Sequence, residues 1–371
     1  MDPRRRTAES SEISGGSGWA DLPPELLEAI LKLVSPRHRV TARVVCSSWR
    51  TCARASFPSD LPFDSPRLLL RRPAGDLAFF SLRRAEILPF ALPTAAAARC
   101  CGHIGGWLAM AFDEDREIAL WNITSGESVA IPRPPLFPVA KMLLSAPPTS
   151  PGWVVAVLGR SGTIALIQPP GGRWMTIEHG AEHGGFQDMA IWRGRLCALG
   201  CDGTVVAYRV SLSRRVAAAS VLRAVQHPVG YAAAAAAGGQ QRIRGRWWNY
   251  LAVDIAGELV VVRREYSVRR DAVDMEVEVV RYAAAEKKWE TVEELAGQAL
   301  FVGSVASMAA PATEGSGIRE NCVYVARREV EMLVPHAIGV YSLADGDATG
   351  LAISGGHSVA AEPVWINPSI A

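Results

Sequence analysis

Between residues 67 and 343 the chain is written in short apolar or alternating runs of four to seven residues, punctuated by Gly, Asp and Pro. The runs are 67–70, 77–82, 106–112, 117–122, 154–158, 163–168, 189–192, 195–199, 204–210, 250–254, 258–263, 277–282, 322–326 and 338–343. Runs of this length, bounded by turn residues, are strands, and they are too short for ordinary helices. Several end in a Gly- or Asp-containing turn followed directly by a second run, as at 113–116, 160–162, 201–203 and 256–257. Anchored on Leu120, Ile164, Val205 and Val260, the units recur at separations of 44, 41 and 55 residues. Those spacings approach the length of a four-stranded propeller blade. Residues 58–371 therefore predict a β-propeller of six or seven blades, with a large β-sandwich or a pair of barrels as the alternative.

Ahead of this region the period changes. Residues 1–18 are polar and small, with Arg4, Arg5 and Arg6 together, and read as a disordered tail. Asp21 and Pro23-Pro24 then open a segment in which Leu26, Leu27, Ile30, Leu31, Leu33 and Val34 recur at helical spacing, and Ser35-Pro36 closes it. A second helical segment runs through Val40, Val44 and Val45, and Ser47 caps a third that carries Trp49 and Cys52. The organisation is thus a tail (1–18), a three-helix module (19–57) and a large β domain (58–371): mostly β with a small α module. Three short helices enclose too little core to hide every apolar side chain, so one face is left for the β domain or for another protein.

Composition narrows the function classes. The 39 basic residues against 37 acidic ones leave a formal charge of +2, without the basic field that carries nucleic-acid affinity. The 49% hydrophobic and 20% charged content is that of a folded chain. No apolar run has the length of a membrane span, and residues 1–18 lack the apolar centre of a secretory signal. Seven scattered cysteines, at 46, 52, 100, 101, 197, 201 and 322, fit reduced thiols. The expectation is a protein of the cytoplasm or nucleus, in which the sequon at Asn122 goes unused.

Catalytic patterns are few. His179-Gly-Ala-Glu-His183 spells the H-x-x-E-H arrangement of one zinc-protease class. That chemistry needs both imidazoles on one helix face, whereas Gly180, Gly184 and Gly185 interrupt this stretch between strand-like segments, so it reads as a hydrophilic loop. Cys197 with Cys201, and Cys100-Cys101-Gly-His103, have no second pair at zinc spacing and read as buried thiols and turn. The acidic Asp113-Glu-Asp115 reads as a hairpin tip. No nucleophile elbow or phosphate-binding loop appears. The chain predicts no catalytic residue, no metal and no cofactor. The six-alanine run 232–237 and the small, polar 311–317 read as variable surface loops.

Two segments resemble known families. Leu22-Pro23-Pro24-Glu25-Leu26-Leu27-Glu28-Ala29-Ile30-Leu31, followed by Arg43-Val44-Val45-Cys46-Ser47-Ser48-Trp49-Arg50, resembles an F-box. Beyond it, Cys101-Gly-His-Ile-Gly-Gly-Trp-Leu108, the hairpin from Leu120-Trp-Asn122 to Ile131-Pro132, residues 250–263, Trp289-Glu-Thr-Val292 and Ala299-Leu-Phe-Val-Gly303 are similar to a plant family that pairs the F-box with a KIB-type β-propeller, also called domain of unknown function 295. Trp121-Asn122-Ile123 departs from that family's usual Asn-Pro at the hairpin.

The F-box resemblance implies docking on the Skp adaptor of a cullin-RING ubiquitin ligase. Leu22 and Pro23 would sit at the adaptor, with Leu26, Leu27, Ile30, Val44 and Trp49 contacting it or holding the module together. The propeller would hold a target protein, for which Trp247 and Trp248 are candidate anchors. Two functions stay open: a non-catalytic substrate-recognition subunit of an SCF (Skp–cullin–F-box) ligase, and a ubiquitin-independent propeller that caps or inhibits a partner such as a kinase.

Overall fold

The structure, a computed structural model, describes residues 18–34, 39, 42, 45–56, 65–71, 76–90, 98–112, 117–123, 125–177, 184–209, 217–222, 248–269, 272–326, 338–351 and 363–367. The chain divides into two compact units, Met1–Pro62 and Phe63–Ala371.

In the first unit a 3-10 turn, Trp19–Asp21, precedes helix α1 (Pro24–Leu33), and helix α2 spans Ser47–Ser56. Pro24 stands in the first turn, where its missing N–H costs nothing, and the Pro23 carbonyl accepts from the N–H groups of Leu26 and Leu27, both at 3.1 Å. Glu25 in the first turn and Lys32 in the last complement the helix dipole. At the far end Arg39 Nη1 donates to the carbonyls of Leu31 (3.3 Å) and Val34 (3.0 Å), satisfying acceptors that a helix terminus leaves orphaned. Of the middle helix expected from Val40, Val44 and Val45, only Arg39 and Ala42 are described as helical, so two helices are complete among the described residues and the rest of the third lies outside them.

The second unit is six sheets. The first holds β1 (Arg67–Arg71), β2 (Leu77–Ser81) and β3 (Glu86–Phe90). The second is β4 (Arg99–Ile104), β5 (Trp107–Phe112), β6 (Glu117–Asn122) and β7 (Ser128–Ile131). The third is β8 (Val139–Leu144), β9 (Val155–Gly159), β10 (Ile164–Ile167) and β11 (Met175–Ile177). The fourth is β12 (Phe186–Trp192), β13 (Arg195–Gly200), β14 (Val205–Arg209) and β15 (Ala217–Leu222). The fifth is β16 (Trp248–Val253), β17 (Leu259–Arg269), β18 (Ala272–Ala283) and β19 (Lys288–Thr291). The sixth contains β20 (Gln298–Val302), β21 (Met308–Pro311), β22 (Cys322–Ala326), β23 (Ile338–Ser342) and β24 (Ala348–Leu351). The last strand, β25 (Val364–Ile366), returns to the first sheet and pairs antiparallel with β1, Val364 opposite Leu69 and Trp365 opposite Leu68. Sheets two to five are simple antiparallel meanders, whereas in the sixth β20 runs parallel to β22.

The buried clusters explain why these sheets form a ring. Leu108 and Met110 of the second sheet pack with Leu69 and Phe79 of the first. Leu120 meets Met142 between the second and third sheets, and Ile164 meets Met189 between the third and fourth. Leu199 meets Val261 between the fourth and fifth, and Val262 meets Val323 between the fifth and sixth. Phe301 and Tyr324 then meet Phe80 and Trp365, which brings the sixth sheet back to the first. Every sheet is covered on both faces by its two neighbours. This cyclic order is a six-bladed β-propeller and excludes the sandwich. Blade count is thereby six among the described residues, not seven.

All fourteen expected runs fall on strands, and β6 and β22 keep the expected bounds. Residues 312–317 form a mostly exposed loop after β21, within which Ser316 is buried. Gly317, at φ +76°, lies so near the β2–β3 turn that a Cβ would fall 2.6 Å from the Leu82 carbonyl. The segment 232–237 lies outside the described residues.

Candidate functional site

Helix α1 has two apolar faces. Leu27 and Leu31 point into the unit's own core, 1% and 0% exposed, against Ala42, Cys52 and Ala53. Leu26, Ile30 and Leu33 lie along the other side at helical spacing, with Leu26 53% and Leu33 87% exposed and Ile30 half-buried. Trp19 and Val45 add exposed apolar surface to the same unit. Of the two roles open to Leu27, its burial in this core fits holding the module together. Leu22 packs partly against the same core, and Pro23 is exposed. The Trp49 ring also leans on that core, and its Nε1 donates to the Trp19 carbonyl at 2.8 Å, tying α2 to the entry turn. Val44 lies outside the described residues. Sequence spacing placed Leu26 and Leu27 on one ladder; only packing separates an outward from an inward neighbour.

In the propeller, side chains on the first strand of one blade reach the next blade. Arg71 Nη1 donates to the Ala98 carbonyl at 3.2 Å, and Arg99 Nη2 to the Val139 carbonyl at 2.7 Å. Lys141 Nζ lies 2.6 Å from Asp188 Oδ1, joining β8 to β12. Asp188 also accepts from the N–H groups of Met189 and of Leu251 on β16, both at 2.7 Å. Burial pushes the Asp188 carboxyl up from the usual carboxylate range, while Lys141 and the two N–H groups pull it back down. Gly102 is required beside this chain of links, because a Cβ there would lie 2.1 Å from the Met142 carbonyl oxygen. Sequence reading missed the ion pair, since a lone Lys and a lone Asp 47 residues apart carry no signal.

Of the thiols singled out by spacing, Cys100, Cys101 and Cys197 are buried packing groups, whereas Cys201 is exposed in the turn after β13. Burial pushes Cys100 up to about 11 and Cys197 up to about 12, so neither supplies thiolate at neutral pH. Cys100 Sγ and Cys101 Sγ face the carbonyls of Gly102 and Ala109. Among the described residues no group of three or more His, Cys, Asp or Glu is placed to hold a metal, and no helix is long and apolar enough to cross a membrane. His179, Glu182 and His183 lie outside the described residues, as do Trp247 and Asp113-Glu-Asp115. Trp248 is half-buried and packs on the cluster between the fifth and sixth blades, so its ring is not a free anchor.

His103 is expected to make the propeller acid-sensitive. Burial, reinforced by the Lys141 ammonium, holds its imidazole down at about 4 against an ordinary 6.5, and its Nδ1 has no hydrogen-bond partner among the described residues. The unfolded chain therefore takes up this proton at a higher pH than the folded one, and acidification favours unfolding. Between pH 7 and 5 this group is expected to remove about 2 kcal/mol of stability. Urea midpoints at the two pH values test this: the acid-induced drop should shrink in His103→Gln, and an unchanged drop would remove His103 as its source.

Comparison with known proteins places both units. The F-box domain matches residues 19–56, and the KIB1-4 beta-propeller matches residues 79–342. An F-box protein of Arabidopsis thaliana is 24% identical over 180 residues, which cover 47% of this chain and 45% of that protein. The chain thus spans less than half the length of this curated relative. Solved structures give weaker likenesses. BBS1N in complex with ARL6DN matches at 12% identity over 77% of each chain with a TM-score of 0.38. A protein of unknown function from Bacteroides caccae matches at 11% identity over 77% of this chain and 93% of its own, with a TM-score of 0.36. Likenesses this low carry no functional information. The family match, extending over most of the six-bladed ring and preceded by the helical module, identifies the chain as a member of the KIB1-4 β-propeller family that carries an N-terminal F-box domain.

Proposed function

We propose that this protein is the non-catalytic substrate-recognition subunit of an SCF ubiquitin ligase, acting in the cytoplasm or nucleus. The F-box unit binds a Skp-family adaptor, and through it a cullin, while the propeller holds a target protein. The observation that carries this reading is the outward stripe of Leu26, Ile30 and Leu33, on a unit whose buried cluster, among the described residues, does not include them. A small helical module with a spare apolar face is built for a partner's groove. Burying each such side chain contributes roughly 1.5–3 kcal/mol. The chain's contribution to ubiquitin transfer is proximity: it raises the effective concentration of a target lysine near the charged thioester. No group in it needs to act as acid, base or nucleophile.

Adaptor pull-down with single variants tests the assignment. Leu26→Glu is expected to weaken adaptor binding at least about tenfold with little change in melting temperature, because Leu26 is exposed. Leu27→Ala is expected to destabilise the F-box unit by about 2–5 kcal/mol through its core. Wild-type binding by Leu26→Glu would refute the docking face. A wild-type chain that never binds the adaptor would favour the ubiquitin-independent reading.

A further inference from the structure

We propose that the groove between the fifth and sixth blades is the target-docking surface and that it takes a basic, extended segment in which cationic and apolar side chains alternate. The assignment rests on the reading of the propeller as the target-holding part. The groove, of about 730 Å³, lies where β18 and the segment after β19 meet β23 and the turn that follows it. Its lining contains Glu278, Glu293 and Glu294 and no Lys or Arg, in a chain whose basic residues outnumber its acidic ones 39 to 37. Glu278 is already paired with Arg263 at 3.0 Å. Glu293 and Glu294 are exposed and have no cationic partner among the described residues. These two carboxylates bring negative charge to the groove, and a partner's cation is attracted to it. The walls supply the second half of the recognition. Val279 and Val292 are buried and Tyr341 is half-buried among the lining residues, so an apolar side chain entering the groove meets apolar surface. Among the described residues these carboxylates do not belong to a metal-holding group. A polypeptide alternating cationic and apolar side chains satisfies both features, since successive side chains of an extended strand point to opposite sides.

The probes are a fluorescein-labelled peptide alternating Arg and Leu and its counterpart alternating Glu and Leu, titrated against the full chain at low and at high salt. The Arg/Leu peptide is expected to bind more tightly than the Glu/Leu peptide, and to weaken as salt screens the carboxylates. Glu293→Gln with Glu294→Gln should weaken it about tenfold. Ala344→Arg, which tethers a cation at the exposed lip, should do the same, whereas Glu314→Gln, an equal charge change in another loop, should not. Equal binding of the Arg/Leu peptide to wild type and to both groove variants would overturn the proposal, as would equal binding of the two peptides to wild type. Adaptor pull-down on the same preparations separates this from the ligase reading: groove variants that lose the peptide keep the adaptor, and Leu26→Glu loses the adaptor while keeping the peptide.

Discussion

Trp365→Ala is expected to lower the stability of the propeller by about 3–5 kcal/mol, the range for deleting a large aromatic from a close-packed core. Trp365 has no exposed surface. Its ring stands edge-on to Phe301, with centroids 4.9 Å apart, and to Tyr324 at 6.2 Å, while Phe301 and Tyr324 stack at 4.7 Å. These three rings join the strand that arrives last in the sequence, β25, to the sixth blade, while the backbone of β25 belongs to the first. Loss of the indole therefore opens a cavity at the place where the ring closes. Trp365→Phe is expected to cost much less, since it keeps an edge-to-face partner and removes an Nε1 donor that is buried without an acceptor among the described residues. Urea denaturation followed by circular dichroism measures both variants. A Trp365→Ala midpoint equal to wild type would mean that the ring is held shut elsewhere. Because the F-box unit has its own core, adaptor binding should survive the substitution.

Asp188→Ala is expected to be comparably severe, at about 3–5 kcal/mol, because it strands a buried charge. Lys141 is 1% and Asp188 2% exposed. Removing the carboxylate leaves the Lys141 ammonium without its 2.6 Å partner and takes the acceptor from the N–H groups of Met189 and Leu251. One side chain thus holds three blades. Lys141→Met is expected to do less damage, since the carboxylate keeps two N–H donors. The double variant Lys141→Met with Asp188→Asn should recover part of the loss, because neither charge is then left alone and the amide oxygen still accepts a hydrogen bond. A double-mutant cycle of Lys141→Met, Asp188→Asn and the two together measures that coupling. Simple additivity of the single effects would mean that the two groups do not sustain each other.

Where strands were legible, they were legible for a reason. β9, β10 and β22 are buried at every residue, and their apolar runs announce them. β7, β19 and β24 are mostly exposed outer strands that owe their conformation to a neighbour's ladder, so their composition is that of a loop. β8 was hidden by Lys141 and β4 by Arg99, Gly102 and His103, polar or flexible residues that make sense only once the adjacent blade is in place. The site was legible to the same degree: the apolar ladder of α1 could be seen, but not which of its members face outward. The acid-lined groove could not be seen at all, because its lining comes from positions 277 to 344 on two blades.

Local periodicity and turn chemistry were enough to establish a helical module followed by repeated four-stranded units, since the period of apolar residues depends only on near neighbours along the chain. Tertiary structure alone decided that the ring closes at six, that β25 completes the first blade, that Leu27 turns inward while Leu26 does not, and that Lys141 finds Asp188. Each of those outcomes joins residues distant in sequence, and depends on how twisted sheets pack face to face and which charges they trap between them, quantities that no short stretch of sequence carries.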